Sequence, residues 1–258
     1  MRTIDDVRNI MRDFMRRLEN NGADPEKVRL AVAKVGRLMA LRVIEWRLHG
    51  PPKRCTACAI HEEEPEYHQA FGSGNPSAEV ALIGQGLGAT EGEYGLPFVG
   101  IAGTLLTMML EDAGLPRESV YLDNIVKCRP KDNRAPAREE ALKCMELYLA
   151  DQLMVIKPRV IVALGAAAVR ALAKDPTSVP GSITKMRGSW FTAAVRGMEF
   201  PAVATYHPAY VVRKHGEDFQ KAYAEMVSDL RAAAEKVAQL KAAREAAIYA
   251  ALRGRAAG

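Results

Sequence analysis

Four cysteines, a glycine-rich loop and three polar or aromatic residues that follow short apolar runs are the parts of this 258-residue chain equipped for chemistry. Cys55 and Cys58 form a Cys-x-x-Cys, and Cys128 and Cys144 form a wider pair with 15 residues between them. Four thiolates are the donor set of a structural zinc site or of an iron–sulfur cluster. Disulfides require an oxidising compartment, and a thioredoxin-type redox pair uses only two of the four. Buried free thiols are the plain alternative. A metal or cluster site accounts for all four.

The run Gly84-Gln85-Gly86-Leu87-Gly88-Ala89-Thr90-Glu91 follows an apolar segment, and Gly95-Leu96-Pro97-Phe98-Val99-Gly100 comes soon after it. Glycines behind a strand let the backbone approach a ligand and offer it N–H donors. The spacing is not the dinucleotide Gly-x-Gly-x-x-Gly, no acidic residue stands where that motif needs one, and Gly-Lys-Ser/Thr is absent. Phe98 offers a face for stacking, or ordinary core packing. Asn124 carries a donor and an acceptor together, the pair that reads the carbonyl and N–H edge of a nucleobase; otherwise it is a turn residue. His207 precedes Pro208, which forces a turn there. Three such residues at successive strand ends point to one pocket.

Elements must position these groups. Val7, Ile10, Met11, Phe14, Met15 and Leu18 follow helical spacing until Asn20-Asn21-Gly22 breaks the run. Asp24 caps a second helix from Pro25 to Leu48, which completes a hairpin, and Pro51-Pro52 punctuates its end. From Glu79 onward, strand segments at Val80–Ile83, Val120–Val126, Val160–Leu164 and Pro201–Thr205 alternate with helices at Gly103–Ala113, Arg138–Ile156 and Ala166–Lys174. Residues 217–255, rich in Ala, Lys and Glu, read as a long terminal helix. The expected fold is α/β: a three-layer α/β/α core with a central, mostly parallel four-stranded sheet and helical extensions at both ends. The expected divisions are an extension at 1–50, a core domain at 51–232, and a C-terminal helix and tail at 233–258.

Composition narrows the setting. With 48% hydrophobic and 26% charged residues the chain is neither disordered, collagenous nor a disulfide scaffold. No uncharged apolar run reaches the roughly 18 residues of a membrane span. A soluble, cytoplasmic monomer is expected. The net charge of +5 is unevenly placed: residues 1–50 carry 11 basic against 7 acidic side chains, whereas residues 51–216 carry 18 of each. A nucleic-acid partner therefore has to be met by local basic patches. Lys127, Arg129, Lys131, Arg134 and Arg138 form one, and Arg213-Lys214 another.

Taken together, Gly84-Gln85-Gly86-Leu87-Gly88, Leu96 through Gly103, Asn124-Ile125-Val126-Lys127-Cys128-Arg129-Pro130 with Asn133-Arg134, Arg187-Gly188 and Thr205 through Tyr210 resemble the family-four, iron–sulfur uracil-DNA glycosylases. The resemblance covers about residues 53–232. It implies a DNA repair enzyme that flips a uracil, or another deaminated base, out of DNA and hydrolyses its N-glycosidic bond. It implies that Cys55, Cys58, Cys128 and Cys144 ligate a structural [4Fe–4S] cluster, that Phe98 stacks on the base, that Asn124 bonds its edge, and that His207 donates to a base carbonyl. Backbone donors around Gln85, Gly86 and Leu87 would line the pocket, and Glu91 would stand near the attacking water or the base. Phosphate contacts are expected from Lys127, Arg129, Lys131, Arg134 and Arg213, and a wedge into the duplex from Tyr210, Val211 and Val212.

One departure bears on activity. Most of that family has a Glu where this chain has Gln85, and an amide can orient a water but cannot take its proton at neutral pH. The resemblance therefore implies a glycosylase of reduced or shifted activity, with Glu91 as a substitute base. The alternatives are a lesion-binding protein that has lost the chemistry and a nucleotide- or RNA-processing hydrolase on the same fold.

Overall fold

The computed structural model describes residues 3–49, 54–179 and 181–256. The expected punctuation at Pro51-Pro52, and with it the division at residue 50, lies outside the described residues.

Helix α1 (Ile4–Asn20) starts at a capping box in which Thr3 and Asp6 bond reciprocally, and it buries Val7, Met11, Phe14 and Leu18 on one stripe. Helix α2 (Pro25–His49) starts where Asp24 Oδ1 accepts the N–H groups of Glu26 and Lys27. The hairpin they form lies on α5 (Ile101–Asp112), fastened by Lys27–Asp112 at 2.7 Å and Lys34–Glu111 at 2.5 Å.

Between them come α3 (Ile60–Glu63), β1 (Ser73–Gly74), β2 (Val80–Gly84) and α4 (Ala89–Tyr94). After α5 the chain runs through β3 (Tyr121–Asn124), α6 (Arg138–Cys144), a π turn at Met145–Leu149, α7 (Ala150–Ile156), β4 (Val160–Leu164) and α8 (Ala166–Leu172). It continues through α9 (Ile183–Met186), β5 (Trp190–Val195), β6 (Met198–Thr205), α10 (Pro208–Val212) and α11 (Gly216–Ala256).

The sheet has six strands in the order β1-β3-β2-β4-β6-β5, and the central four, β3, β2, β4 and β6, are parallel. These four are the strands expected from the apolar runs. Alternation sorts their side chains into two cores: Val80, Leu82, Val160, Val162 and Leu164 face α1, α2, α5 and α11, while Ala81, Ile83, Ile161 and Ala163 face α6, α7 and α8. Three layers follow.

The sheet also carries two strands beyond the expected four. β1 is two residues long, and β5 pairs antiparallel with β6 through the tight turn Arg196-Gly197, both at positive φ. Arg at such a position carries no turn signal in sequence. Here its guanidinium is held by Glu146 and Asp151.

The expected helix Arg138–Ile156 is interrupted by the π turn directly after Cys144. α11 passes without a break through residues 232–233, where a division was expected, and its described side chains are exposed from Lys241 onward. No described helix is long and apolar enough to cross a membrane.

Candidate active site and cysteine pocket

Strand order reverses beside β2, with β3 on one side and β4 on the other, and a cleft of about 500 Å³ opens beyond the carboxyl ends of these strands. Register places Gly84 opposite Asn124. A Cβ at Gly84 would lie 2.5 Å from Asn124 Oδ1 and 2.6 Å from Phe98 Cζ, so only glycine leaves both side chains where they are. Asn124 is buried, and its Oδ1 has no hydrogen-bond partner. A buried acceptor left unpaired costs roughly 1–3 kcal/mol, which a ligand N–H would recover.

Phe98 holds φ at 54°, a conformation that bulky residues rarely take. Two side chains impose it. Glu91 Oε1 accepts the N–H groups of Val99 (3.0 Å) and Gly100 (2.7 Å), while Arg117 donates to Pro97 O and Thr107 Oγ1, both at 3.1 Å. Arg117 is buried; desolvation draws its pKa down to about 10, against the opposing pull of Glu91. Gly103 completes the arrangement, since a Cβ there would strike the Phe98 carbonyl group at 2.1 Å.

His207 faces Phe98 with ring centroids 6.2 Å apart and caps α10, its Nδ1 accepting the Ala209 N–H at 3.2 Å. A neutral ring bonded in this way carries its proton on Nε2. Burial, with a smaller contribution from the charge of Arg213, pushes the imidazole down to about 4.

Gln85, Gly86, Leu87, Glu91, Phe98, Asn124 and His207 all line this one cleft. Some of the expected roles change. Gln85 Nε2 donates to Arg134 O at 3.0 Å, which ties the glycine-rich loop to the basic segment. The Leu87 N–H is spent on Cys128 O at 3.4 Å and is not a free donor. Glu91 directs one carboxylate oxygen at two amides, so it acts first as a clamp on the Phe98 loop.

The basic segment divides likewise. Lys127, expected at phosphate, is buried and paired with buried Asp123 at 2.7 Å, so it cannot reach DNA. Arg129 pairs with Glu64 at 2.6 Å and lies over the Tyr67 ring, and Arg134 pairs with Glu63 and Glu140. Lys131, Arg138 and Arg213 are exposed, and Arg213 lies on the cleft wall. Within the expected wedge Val211 is buried, and Tyr210 stacks on Tyr206 at 4.6 Å.

Two positions give no sign of their role in the sequence: Arg117 and Asp123. Arg117 and Asp123 are charged residues beside apolar runs, and only their burial marks them. Asn133, at φ 54°, lines the cleft. The Arg187-Gly188 pair lies off the cleft, with Arg187 bonded to buried Asp229 of α11 at 2.6 Å.

Cys55, Cys58, Cys128 and Cys144 line a second, narrow pocket. Gln69 Nε2 donates to Cys128 Sγ at 3.1 Å, and the Ala57 N–H to Cys55 Sγ at 3.4 Å. Burial pushes the Cys144 thiol up to about 12 and raises that of Cys128, so a bound cation or cluster must supply the charge that keeps them ionised. Among the described residues no His, Cys, Asp or Glu group could hold a single metal ion. Four cysteines around one pocket, with N–H donors meeting the sulfurs of Cys55 and Cys128, are a donor set that suits an iron–sulfur cluster.

A mostly parallel sheet with a cleft at its carboxyl edge and four cysteines around a second pocket defines a class, and the family model described as the uracil DNA glycosylase superfamily matches residues 71–231. The chain is 40% identical over 172 residues to the type-4 uracil-DNA glycosylase of Thermotoga maritima, covering 66% of this chain and 83% of that protein. It is 38% identical over 178 residues to the type-4 enzyme of Pyrobaculum aerophilum, covering 68% and 89%. To that of Saccharolobus solfataricus it is 41% identical over 176 residues, covering 66% and 80%. The chain belongs to the type-4 uracil-DNA glycosylases of this superfamily.

The His207 environment makes a direct prediction. Burial and Arg213 both oppose imidazolium, so the ring stays neutral from alkaline pH down to about 4. An NMR titration should give a midpoint near that value; one near 6.5 would show that the side chain is solvated.

Proposed function

We propose that this chain hydrolyses the N-glycosidic bond of uracil in DNA and leaves an abasic site. The observation that carries the reading is the buried, unpartnered Oδ1 of Asn124, a residue that lines the cleft together with Phe98 and His207. Uracil offers an N–H flanked by two carbonyls. Its N3–H pairs with Asn124 Oδ1, a neighbouring carbonyl accepts from Asn124 Nδ2, and Phe98 covers one face of the ring. As the glycosidic bond breaks, charge grows on the departing base, and the Nε2–H of neutral His207 donates to its carbonyl oxygen. Such a donor already in place needs no rearrangement as the charge forms.

Gln85 orients the water that then attacks C1′ of the sugar but cannot accept its proton; the glycosidic electron pair departs on the uracil anion, and the proton passes to that anion or to bulk water. The enzyme forgoes a base contribution of about 10²–10⁴-fold, and stabilisation of the leaving group carries the reaction. Arg213 and Lys131, exposed beside the cleft, are proposed as phosphate contacts, with Arg129 and Arg134 contributing while they remain tied to Glu64 and Glu63.

The four cysteines are proposed to hold a [4Fe–4S] cluster. Its part is structural: it would tie the segment at Cys55–Cys58 to the loop after Asn124 and to the end of α6.

Three outcomes are expected. Uracil release from a uracil-containing oligonucleotide should occur with the parent chain and fall by about 10²–10³-fold in Asn124→Ala, the scale of losing one positioned group. A parent that binds such DNA but yields no abasic product would instead identify a lesion-binding protein. Gln85→Glu sacrifices the bond to Arg134 O but supplies a base, so kcat should rise by at least about tenfold; an unchanged kcat would show that water activation does not limit the reaction. Protein purified without oxygen should be brown, with about four irons per chain. A colourless, zinc-bearing protein would overturn the cluster assignment.

A further inference from the structure

His207 and Arg213 flank the two ends of one helix, α10, only five residues long. So short a helix does not hold itself together, and both its ends need outside partners. The His207 end is closed locally, by the Nδ1 bond to Ala209 and by Pro208 at the first helical position. The other end is closed from far away: Asn21, in the turn between α1 and α2, donates from Nδ2 to the Val212 carbonyl at 2.7 Å, across 191 residues of sequence.

That turn is rigid. Asn21 donates its own N–H to the last carbonyls of α1, Gly22 takes φ 93°, and the Ala23 N–H returns to Leu18 O, which together make a left-handed helix stop. Asn21 is itself buried. A second bond runs beside the first, from Gln220 Nε2 of α11 to Gly22 O at 2.7 Å. The turn thus straddles the α10–α11 junction, and it lies outside residues 71–231, which the family model matches.

We infer that the N-terminal hairpin is a positioning element of the site, with Asn21 as the residue that fixes the Tyr210–Arg213 edge against which DNA is gripped. His207 has its own local anchor, so loss of Asn21 acts on the grip more than on the chemistry. The inference rests on the uracil-excision reading for its kinetic consequence only.

The test uses the full chain and the variants Asn21→Ala, Asn21→Asp and Gln220→Ala. Asn21→Asp keeps the shape but turns an oxygen toward the Val212 carbonyl, so it should be at least as damaging as Ala. Amide hydrogen exchange across residues 209–214 should quicken about two- to tenfold in both Asn21 variants, the worth of one hydrogen bond, with the amides of β2 and β4 unchanged. Gln220→Ala should move the same amides by a smaller factor. On uracil-containing DNA, KM should rise by a similar factor while kcat stays within about twofold.

Unchanged exchange at 209–214, or an equal increase in the sheet, would overturn the inference, as would a fall in kcat at constant KM. A parent chain that releases no uracil would overturn the glycosylase reading, and the exchange comparison would still decide the role of Asn21.

Discussion

At the carboxyl end of β3, Asp123 and Lys127 are buried together, and both pockets hang from that ion pair. Asp123 Oδ1 takes the Lys127 ammonium at 2.7 Å, the Asn124 N–H at 2.8 Å and the Gly72 N–H at 3.2 Å. Lys127 also donates to the Asn124 carbonyl at 3.0 Å, and its own carbonyl receives the Ala70 N–H. Asn124 is thereby held on both sides of its peptide unit while its side-chain Oδ1 stays unpartnered. In the other direction Lys127 lines the cysteine pocket and precedes Cys128. Burying two charges is costly, and loss of either partner would strand the other at about 3–5 kcal/mol. The pair stands between Asn124, which lines the cleft, and Cys128, which lines the cysteine pocket.

Around this anchor the cleft is assembled from strain and its restraint. Phe98 is forced to positive φ by Glu91 on one side and Arg117 on the other, and the glycines at 84 and 103 clear the space that its ring and carbonyl occupy. The same economy recurs at His207, where one bond to Ala209 both caps a helix and selects the tautomer that can donate. Phe98 and His207 are thus each oriented by neighbouring groups fixed in the fold. Gln85 likewise secures the glycine-rich loop to the Arg134 carbonyl while lining the cleft.

Much of this was legible in advance. The four central strands, the helical hairpin and the cleft residues Phe98, Asn124 and His207 were readable because apolar period, cap residues and strand-end motifs are local signals. The edge strands escaped, since β1 is two residues long and the β5–β6 turn depends on Arg196 held by Glu146 and Asp151 from another segment. The basic run misled at Lys127: charge in a sequence reads as solvated surface, and nothing near Lys127 announces that Asp123 is buried against it. The partners of Glu91, the amides of Val99 and Gly100, become visible only when the loop folds back.

By itself the sequence determined the α/β layering, the family and the residues that line one cleft, because these follow from patterning and from residue types at strand ends. Only the tertiary structure decided which basic side chains are exposed and which are struts, that Glu91 and Arg117 hold the Phe98 loop, and that Asn21 closes a helix 191 residues away. The physical reason is the same in each case. Burial and long-range hydrogen bonding assign a polar side chain its role, and both depend on what packs against it rather than on its neighbours in the chain.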